Sequence, residues 1–85
     1  MYSYRTSQVC ARQINIDVDN GIVKHVDFVG GCDGNLKAIG KLIAGKPSTE
    51  VISILEGNTC GSKSTSCADQ LAKALREIEK VEGRA

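Results

Sequence analysis

The sequence predicts an α+β fold, a two-layer sandwich in which a three-stranded antiparallel sheet carries about three helices on one face. Three observations lead to this prediction. Within residues 11–18, Ile14, Ile16 and Val18 alternate with Gln13, Asn15 and Asp17, which is the period of a half-buried strand. Asp19-Asn20-Gly21 follows, and this run is a strong hairpin signal. Apolar residues at helical spacing follow the strand patterns, from about residue 35 onward, so strands and helices are segregated along the chain.

The strands are predicted over residues 2–9, 11–18 and 22–29. The last two form the hairpin, and their apolar residues indicate its register. A three-residue loop over residues 19–21, with Gly21 in the left-handed conformation, gathers the apolar side chains on one face. The predicted pairs are Val18 with Ile22, Ile16 with Lys24 and Ile14 with Val26. The other face is polar and carries His25, which we interpret as an exposed residue rather than a ligand.

Helices are predicted over about residues 35–44, 48–55 and 67–81, each with an apolar stripe. Ser48 is the expected N-cap of the second helix. Ser66, with Asp69 three residues later, has the spacing of a capping box at the start of the third helix.

The composition of the 85-residue chain predicts a single domain, residues 1–85, and excludes several functions. A net charge of +1 and an aromatic content of 4% argue against binding of nucleic acid. No apolar run reaches the roughly 20 residues of a membrane span. The first residues lack the apolar segment of a signal peptide, so we expect a cytoplasmic protein with reduced thiols.

Four cysteines are the most unusual feature of this composition: Cys10, Cys32, Cys60 and Cys67. They are separated by 21, 27 and 6 residues and include no C-x-x-C pair, so spacing alone does not identify their role. They are metal ligands, redox-active thiols or inert thiols. All four fall at the ends of predicted elements, outside the apolar stripes, and such ends can converge at one edge of a sandwich.

Cys32 and Cys67 precede or begin predicted helices, where unpaired N–H groups favour thiolate, the form that binds metals. Gly31, Gly34 and Gly61 lie beside cysteines and would let the backbone approach a bound cofactor closely, unless they serve only the turns.

The run Thr65-Ser66-Cys67-Ala68-Asp69-Gln70-Leu71-Ala72 resembles the signature of the TSCPD-domain family, with Ala68 in place of proline. Gly30-Gly31-Cys32, Gly34-Asn35 and Cys60-Gly61 extend the resemblance, which is closest to the small four-cysteine branch. Related domains occur at the C-terminus of adenosylcobalamin-dependent ribonucleotide reductases. The resemblance therefore implies an accessory module linked to deoxyribonucleotide synthesis, with a ribonucleotide reductase subunit as partner. A complete catalytic site for ribonucleoside-diphosphate reduction is not present in this sequence.

A weaker resemblance is to the IscU/NifU-type iron–sulfur scaffold proteins. Cys10, Cys32 and Cys67 match the order of the three scaffold ligands around a similar β-hairpin. Arg12 and Ser66 depart from the scaffold pattern, which has Asp and His at these two places. This resemblance implies an IscU/NifU-like fold and the convergence of the thiols.

Together these observations predict one metal site, zinc or an iron–sulfur cluster, held by Cys10, Cys32, Cys60 and Cys67. One alternative is a thiol–disulfide module that passes electrons to ribonucleotide reductase, with Cys60 and Cys67 as the most local pair. Another is an iron–sulfur scaffold or carrier. The structural interpretation is that a metal only holds the fold together, or that the thiols have no role. The sequence does not indicate the oligomeric state.

Overall fold

The computed structural model describes residues 2–6, 11–31, 33–59, 61 and 64–83, and it confirms the predicted α+β fold. Three antiparallel strands form one sheet in the order β1-β2-β3, followed in the chain by three helices. The elements are β1 (Tyr2–Arg5), β2 (Ala11–Asp19), β3 (Ile22–Gly30), α1 (Asp33–Ile43), α2 (Ser48–Leu55) and α3 (Cys67–Val81). None of the helices in the described part of the chain is long and apolar enough to span a membrane.

One hydrophobic core joins the helices to a single face of the sheet. Alternate residues of β2 face the helices, because side chains alternate across a strand. Val23 and Val26 of β3, which pair with Val18 and Ile16, lie on the same face. The buried members of this core are Ile14, Ile16, Val18, Val23, Val26, Ile43, Val51, Ile52, Leu71, Ala74, Leu75 and Ile78. Helix α1 packs closely on β3 at Gly40, where a Cβ atom would lie 3.1 Å from the carbonyl oxygen of Val26.

The predicted register of the β2–β3 hairpin is wrong. The loop has two residues, Asn20 (φ 53°) and Gly21 (φ 79°), and Asp19 pairs directly with Ile22. Consecutive positive φ angles of this kind are typical of the tight turns whose twist matches that of the flanking strands. The left-handed conformation predicted for Gly21 is confirmed.

A β-bulge near Lys24 accounts for the difference in register. The pairing shifts by one residue between Asp17 and Val18, so that Ile16 lies opposite Val26 and Ile14 opposite Phe28. In the predicted register, which has a three-residue loop and no bulge, Lys24 would lie opposite Ile16 on the core face. The extra residue lets Lys24 stay exposed while apolar side chains pair on that face.

Ser48 is not the N-cap of α2, as the sequence analysis expected. It is the first helical residue, Pro47 precedes it, and its hydroxyl donates a 2.8 Å hydrogen bond to Glu79 Oε1 of α3. Both side chains are buried. The backbone N–H of Ser48 donates to Gly21 O at 2.8 Å, so the start of α2 is held against the hairpin as well. The hydroxyl is used for a distant contact because the backbone beside it is already paired.

The two-residue turn predicts the effect of replacing Gly21. We expect Gly21→Ala to lower the free energy of unfolding by about 1 kcal/mol, because an L-residue at positive φ is strained. Gly34→Ala is the matched control. Gly34 lies in α1 without a positive φ, and a Cβ atom there would meet nothing within 4 Å. Urea unfolding measures both variants, and equal destabilisation by the two substitutions would contradict the turn geometry.

Candidate functional site

The structure describes one of the four cysteines in the predicted metal site. Cys67 is half-buried in the first turn of α3, and its thiol is free. Cys10, Cys32 and Cys60 lie outside the described residues, so the distances among the four sulfur atoms stay a prediction. Within residues 2–6, 11–31, 33–59, 61 and 64–83, no group of three or more potential ligands could hold a metal.

Ser66 fixes the start of α3 directly before Cys67. Its hydroxyl oxygen accepts a 3.1 Å hydrogen bond from the backbone N–H of Asp69, which confirms the predicted cap. The same hydroxyl donates to the carbonyl oxygen of Asn58. The backbone carbonyl oxygen of Ser66 accepts a 2.8 Å hydrogen bond from the N–H of Gln70. Ser66 thus joins the beginning of the helix to the segment that follows α2.

Asp69 makes a second connection to the same segment. Its Oδ1 accepts a 2.7 Å hydrogen bond from the N–H of Gly57, and its Oδ2 accepts a 2.5 Å bond from the hydroxyl of Thr65. Lys73 Nζ lies 3.3 Å from Oδ2. The Asp69 side chain is only 5% exposed, and these donors compensate for the burial of its charge. In a full capping box, the Asp69 carboxylate would instead accept a hydrogen bond from the backbone N–H of Ser66.

The pKa of Asp69 is lowered from its ordinary value by these contacts. The Thr65 hydroxyl is the largest cause, and the Gly57 N–H and Lys73 act in the same direction. Burial opposes them by disfavouring the charged form. The group therefore stays ionised in more acidic solution than an ordinary aspartate.

Thr65 and Gln70 complete this network, and the sequence analysis did not single out either. Gln70 Nε2 donates to Thr65 Oγ1 at 3.0 Å, and both side chains are 3% exposed. The sequence does contain a signal for a polar network: polar residues lie on both sides of the first turn of α3, although the inner face of this helix is apolar. We define the polar network as Asn58, Thr65, Ser66, Asp69 and Gln70 together with the N–H of Gly57.

Gly31 packs closely against the first residue of β2. It has a φ of 82°, and a Cβ atom there would lie 2.8 Å from Leu36 Cδ1 and 3.0 Å from the N atom of Ala11. The positive φ and the close approach to the Ala11 backbone both favour glycine at this position. At Gly34 and Gly61 a Cβ atom would meet nothing within 4 Å. The predicted role of the three glycines in binding a cofactor stays a prediction.

Described residues that adjoin the cysteines in sequence are held together in two groups. The first is at one end of the sheet, where Ala11, the residue after Cys10, pairs with Gly30 and lies close to Gly31, the residue before Cys32: a Cβ atom on Gly31 would be 3.0 Å from the Ala11 N atom. The hydroxyl of Thr6 also donates to the carbonyl of Ala11. The second group is the polar network, in which Ser66, directly before Cys67, is bonded to Asn58, two residues before Cys60. The described residues next to Cys10 and Cys32, and those next to Cys60 and Cys67, are therefore fixed relative to each other within each group.

The polar network leads to a prediction for Asp69→Asn. The amide group cannot accept from both Gly57 and Thr65, so we expect the free energy of unfolding to fall by about 1–3 kcal/mol at neutral pH. Because the folded pKa is depressed, the contribution of Asp69 is present above its unfolded pKa and is lost as pH falls through the folded pKa. The variant should lose stability less steeply below about pH 4 than the native chain does.

Urea titrations at a series of pH values measure this difference. Asp27→Asn is the matched control, because Asp27 is exposed on the open face of the sheet, opposite Asn15. We expect the control to retain the stability and the acid dependence of the native chain. An Asp69→Asn variant as stable as the control at neutral pH would show that the network does not support the fold.

Comparison with known proteins agrees with the signature in the sequence. Neither the curated proteins nor the solved structures gave a match to this chain. The weaker resemblance to iron–sulfur scaffold proteins therefore gains no support from them. A family model described as the TSCPD domain matches residues 2–79, which covers the sheet and nearly all of the helix layer. The chain belongs to the TSCPD-domain family.

Proposed function

We propose that Cys10, Cys32, Cys60 and Cys67 bind one metal centre, either zinc or an iron–sulfur cluster. The observation that supports this proposal most directly is the position of Cys67. Ser66 and Asp69 on either side of it are buried and committed to the polar network, whereas the Cys67 thiol is free and half-buried. The signature thus holds the helix start in place and leaves its sulfur available as a ligand.

The surroundings of Cys67 suit an anionic ligand. The sulfur lies in the first turn of a 15-residue helix, where N–H groups and the helix dipole favour negative charge. Ser66 already satisfies the N–H of Asp69, so the cap and the cysteine use different groups of the same turn. A thiolate–metal centre at this end of α3 would therefore be favoured electrostatically.

The other cysteines are proposed as ligands because described residues near them in sequence have defined positions. Ala11 and Gly31 lie close together at the end of the sheet, and Asn58 is hydrogen-bonded to Ser66. Four thiolates suit tetrahedral zinc and iron–sulfur clusters alike, so the donor set fits both groups. Cys10, Cys32, Cys60 and Cys67 would hold either one, and the metal would supply a cross-link or an electron carrier.

Family membership supports the wider role that we propose. The chain would act in the cytoplasm as an accessory module of deoxyribonucleotide synthesis, bound to a ribonucleotide reductase subunit. The TSCPD-domain match supports this role, since related domains end the adenosylcobalamin-dependent enzymes. Calorimetric titration of the metal-loaded chain into such a reductase tests it. The absence of heat at two well-separated temperatures, with both the free enzyme and its substrate complex, would reject the partnership.

Metal analysis of protein purified without oxygen tests the metal centre. We expect either about one zinc with a colourless protein, or iron with sulfide and a brown protein, and in both cases thiols that are blocked until the metal is removed. Each of Cys10→Ser, Cys32→Ser, Cys60→Ser and Cys67→Ser should lower the bound metal. Chelation should also lower the melting temperature, because metal binding contributes to folding.

The matched control for these variants is Ala38→Ser, which adds a hydroxyl at an exposed position of α1. It should keep the full metal content. Four free thiols and no metal in the native chain would reject the proposal. A Cys60–Cys67 disulfide that forms and reduces reversibly in the metal-free chain would then favour the thiol–disulfide alternative.

A further inference from the structure

A cavity of about 500 Å³ lies between α2 and the second half of α3. This volume falls within the range of roughly 300–1,000 Å³ that is typical of small-molecule sites. Ile52 contributes an apolar wall, whereas Glu56, Arg76, Glu79 and Lys80 bring charged groups to the cavity. None of the described residues that line it belongs to the polar network at the start of α3. The cavity is therefore a feature of its own.

Glu79 is the buried acid of this cavity. The residue is only 6% exposed. Its Oε1 accepts the hydrogen bond from the hydroxyl of Ser48, which is buried as well. Its Oε2 is also buried, and no donor among the described residues reaches it. A carboxylate removed from water is costly unless donors replace its hydration, so Oε2 requires one further hydrogen-bond donor.

The other charged residues of the cavity do not supply this donor. Arg76 is committed to Glu56, because its Nη2 donates a 2.8 Å hydrogen bond to Oε1 and its Nε donates to Oε2. The Lys80 side chain is 66% exposed, and its Nζ lies 3.9 Å from Oε1 of Glu77, which does not line the cavity. Of the four charged residues described here, Glu79 is therefore the one that is buried without an oppositely charged partner.

A primary ammonium group fits this requirement best. It is compact, carries a positive charge and has N–H donors, and charge-assisted hydrogen bonds to a carboxylate are stronger than neutral ones. Ile52 offers apolar contact to an attached aliphatic chain. A divalent metal ion would need several oxygen ligands, and the described residues include no group of three potential metal ligands. A water molecule would supply a donor but neither the charge nor the apolar contact.

We propose that the cavity between α2 and α3 binds a small aliphatic amine in its ammonium form. The ammonium group donates a hydrogen bond to Oε2 of Glu79, while Ser48 keeps its bond to Oε1. The aliphatic chain packs against Ile52. Binding at this site uses no cysteine, so it does not depend on the metal centre proposed above.

An NMR titration of the full chain with butylammonium chloride tests the proposal. We expect saturable shifts of the backbone amides in α2 and around Glu79, with a Kd in the millimolar range or below. Butyltrimethylammonium is the first control ligand, because it keeps the positive charge but has no N–H donor. The second is 1-butanol, which has a donor without the charge. Each control ligand should bind at least tenfold more weakly than butylammonium.

Glu79→Gln tests the carboxylate itself. The amide oxygen can still accept from Ser48, so the variant should remain folded by circular dichroism. It should bind butylammonium at least tenfold more weakly, because the negative charge is lost. Glu77→Gln is the matched control, since it removes an acid of the same helix whose side chain is 63% exposed and lies outside the cavity. This control should bind butylammonium as the native chain does.

Three results would overturn the proposal. One is a native chain without saturable shifts in the butylammonium titration. Another is equal affinity for butylammonium and butyltrimethylammonium, which would show that no N–H group is recognised. The third is a Glu79→Gln variant that binds butylammonium as tightly as Glu77→Gln does. If Glu79→Gln does not fold, the comparison of the three ligands on the native chain decides the question.

Discussion

The start of α3 depends on one buried carboxylate, that of Asp69. A charge removed from water is costly unless donors replace the lost hydration. Asp69 obtains them from Thr65, from the N–H of Gly57 and from Lys73, and these groups belong to three different parts of the chain. The end of α2, the approach to α3 and the outer side of α3 must therefore adopt their positions together. Displacement of any one part would leave the carboxylate short of a donor, so a local side-chain contact defines the path of a whole connection.

The family signature therefore contains two kinds of residue. Thr65, Ser66 and Asp69 are buried and bonded within the network, and they determine where the helix begins. Cys67 lies between them with a free thiol. Ala68, in the place of the signature proline, is 6% exposed, and a small residue fits a first helical turn there. The signature can therefore be understood as a rigid helix start that presents one sulfur atom.

Most of the fold could be predicted from sequence because its elements depend on local patterns. The bounds of α2 and α3 agree with the predicted ranges, and α1 begins two residues earlier than expected. The bulge near Lys24 could not be predicted, since it depends on which β3 side chains reach the helices. The role of Ser48 was missed for a similar reason, because its partner Glu79 is 31 residues away. At the candidate site, sequence order placed Cys67 correctly at a helix start. The polar residues around that turn were a signal for a network, but a sequence pattern does not show which of them bond to each other, as Thr65 and Gln70 do.

The two groups of cysteine neighbours differ in the layer to which they belong. Ala11 and Gly31 are held at the end of the sheet by close backbone packing, whereas Asn58 and Ser66 are held beside the helices by hydrogen bonds. Among the described residues, the layers are joined chiefly by the hydrophobic core. A metal shared by all four cysteines would add a covalent link between the layers. In a chain of 85 residues, whose core can bury only about 60% of the unfolded surface, such a link would contribute substantially to stability. A metal held by one group alone would leave the layers dependent on the core. We therefore expect metal removal to cost more stability for a site that spans both layers than for a site within one layer.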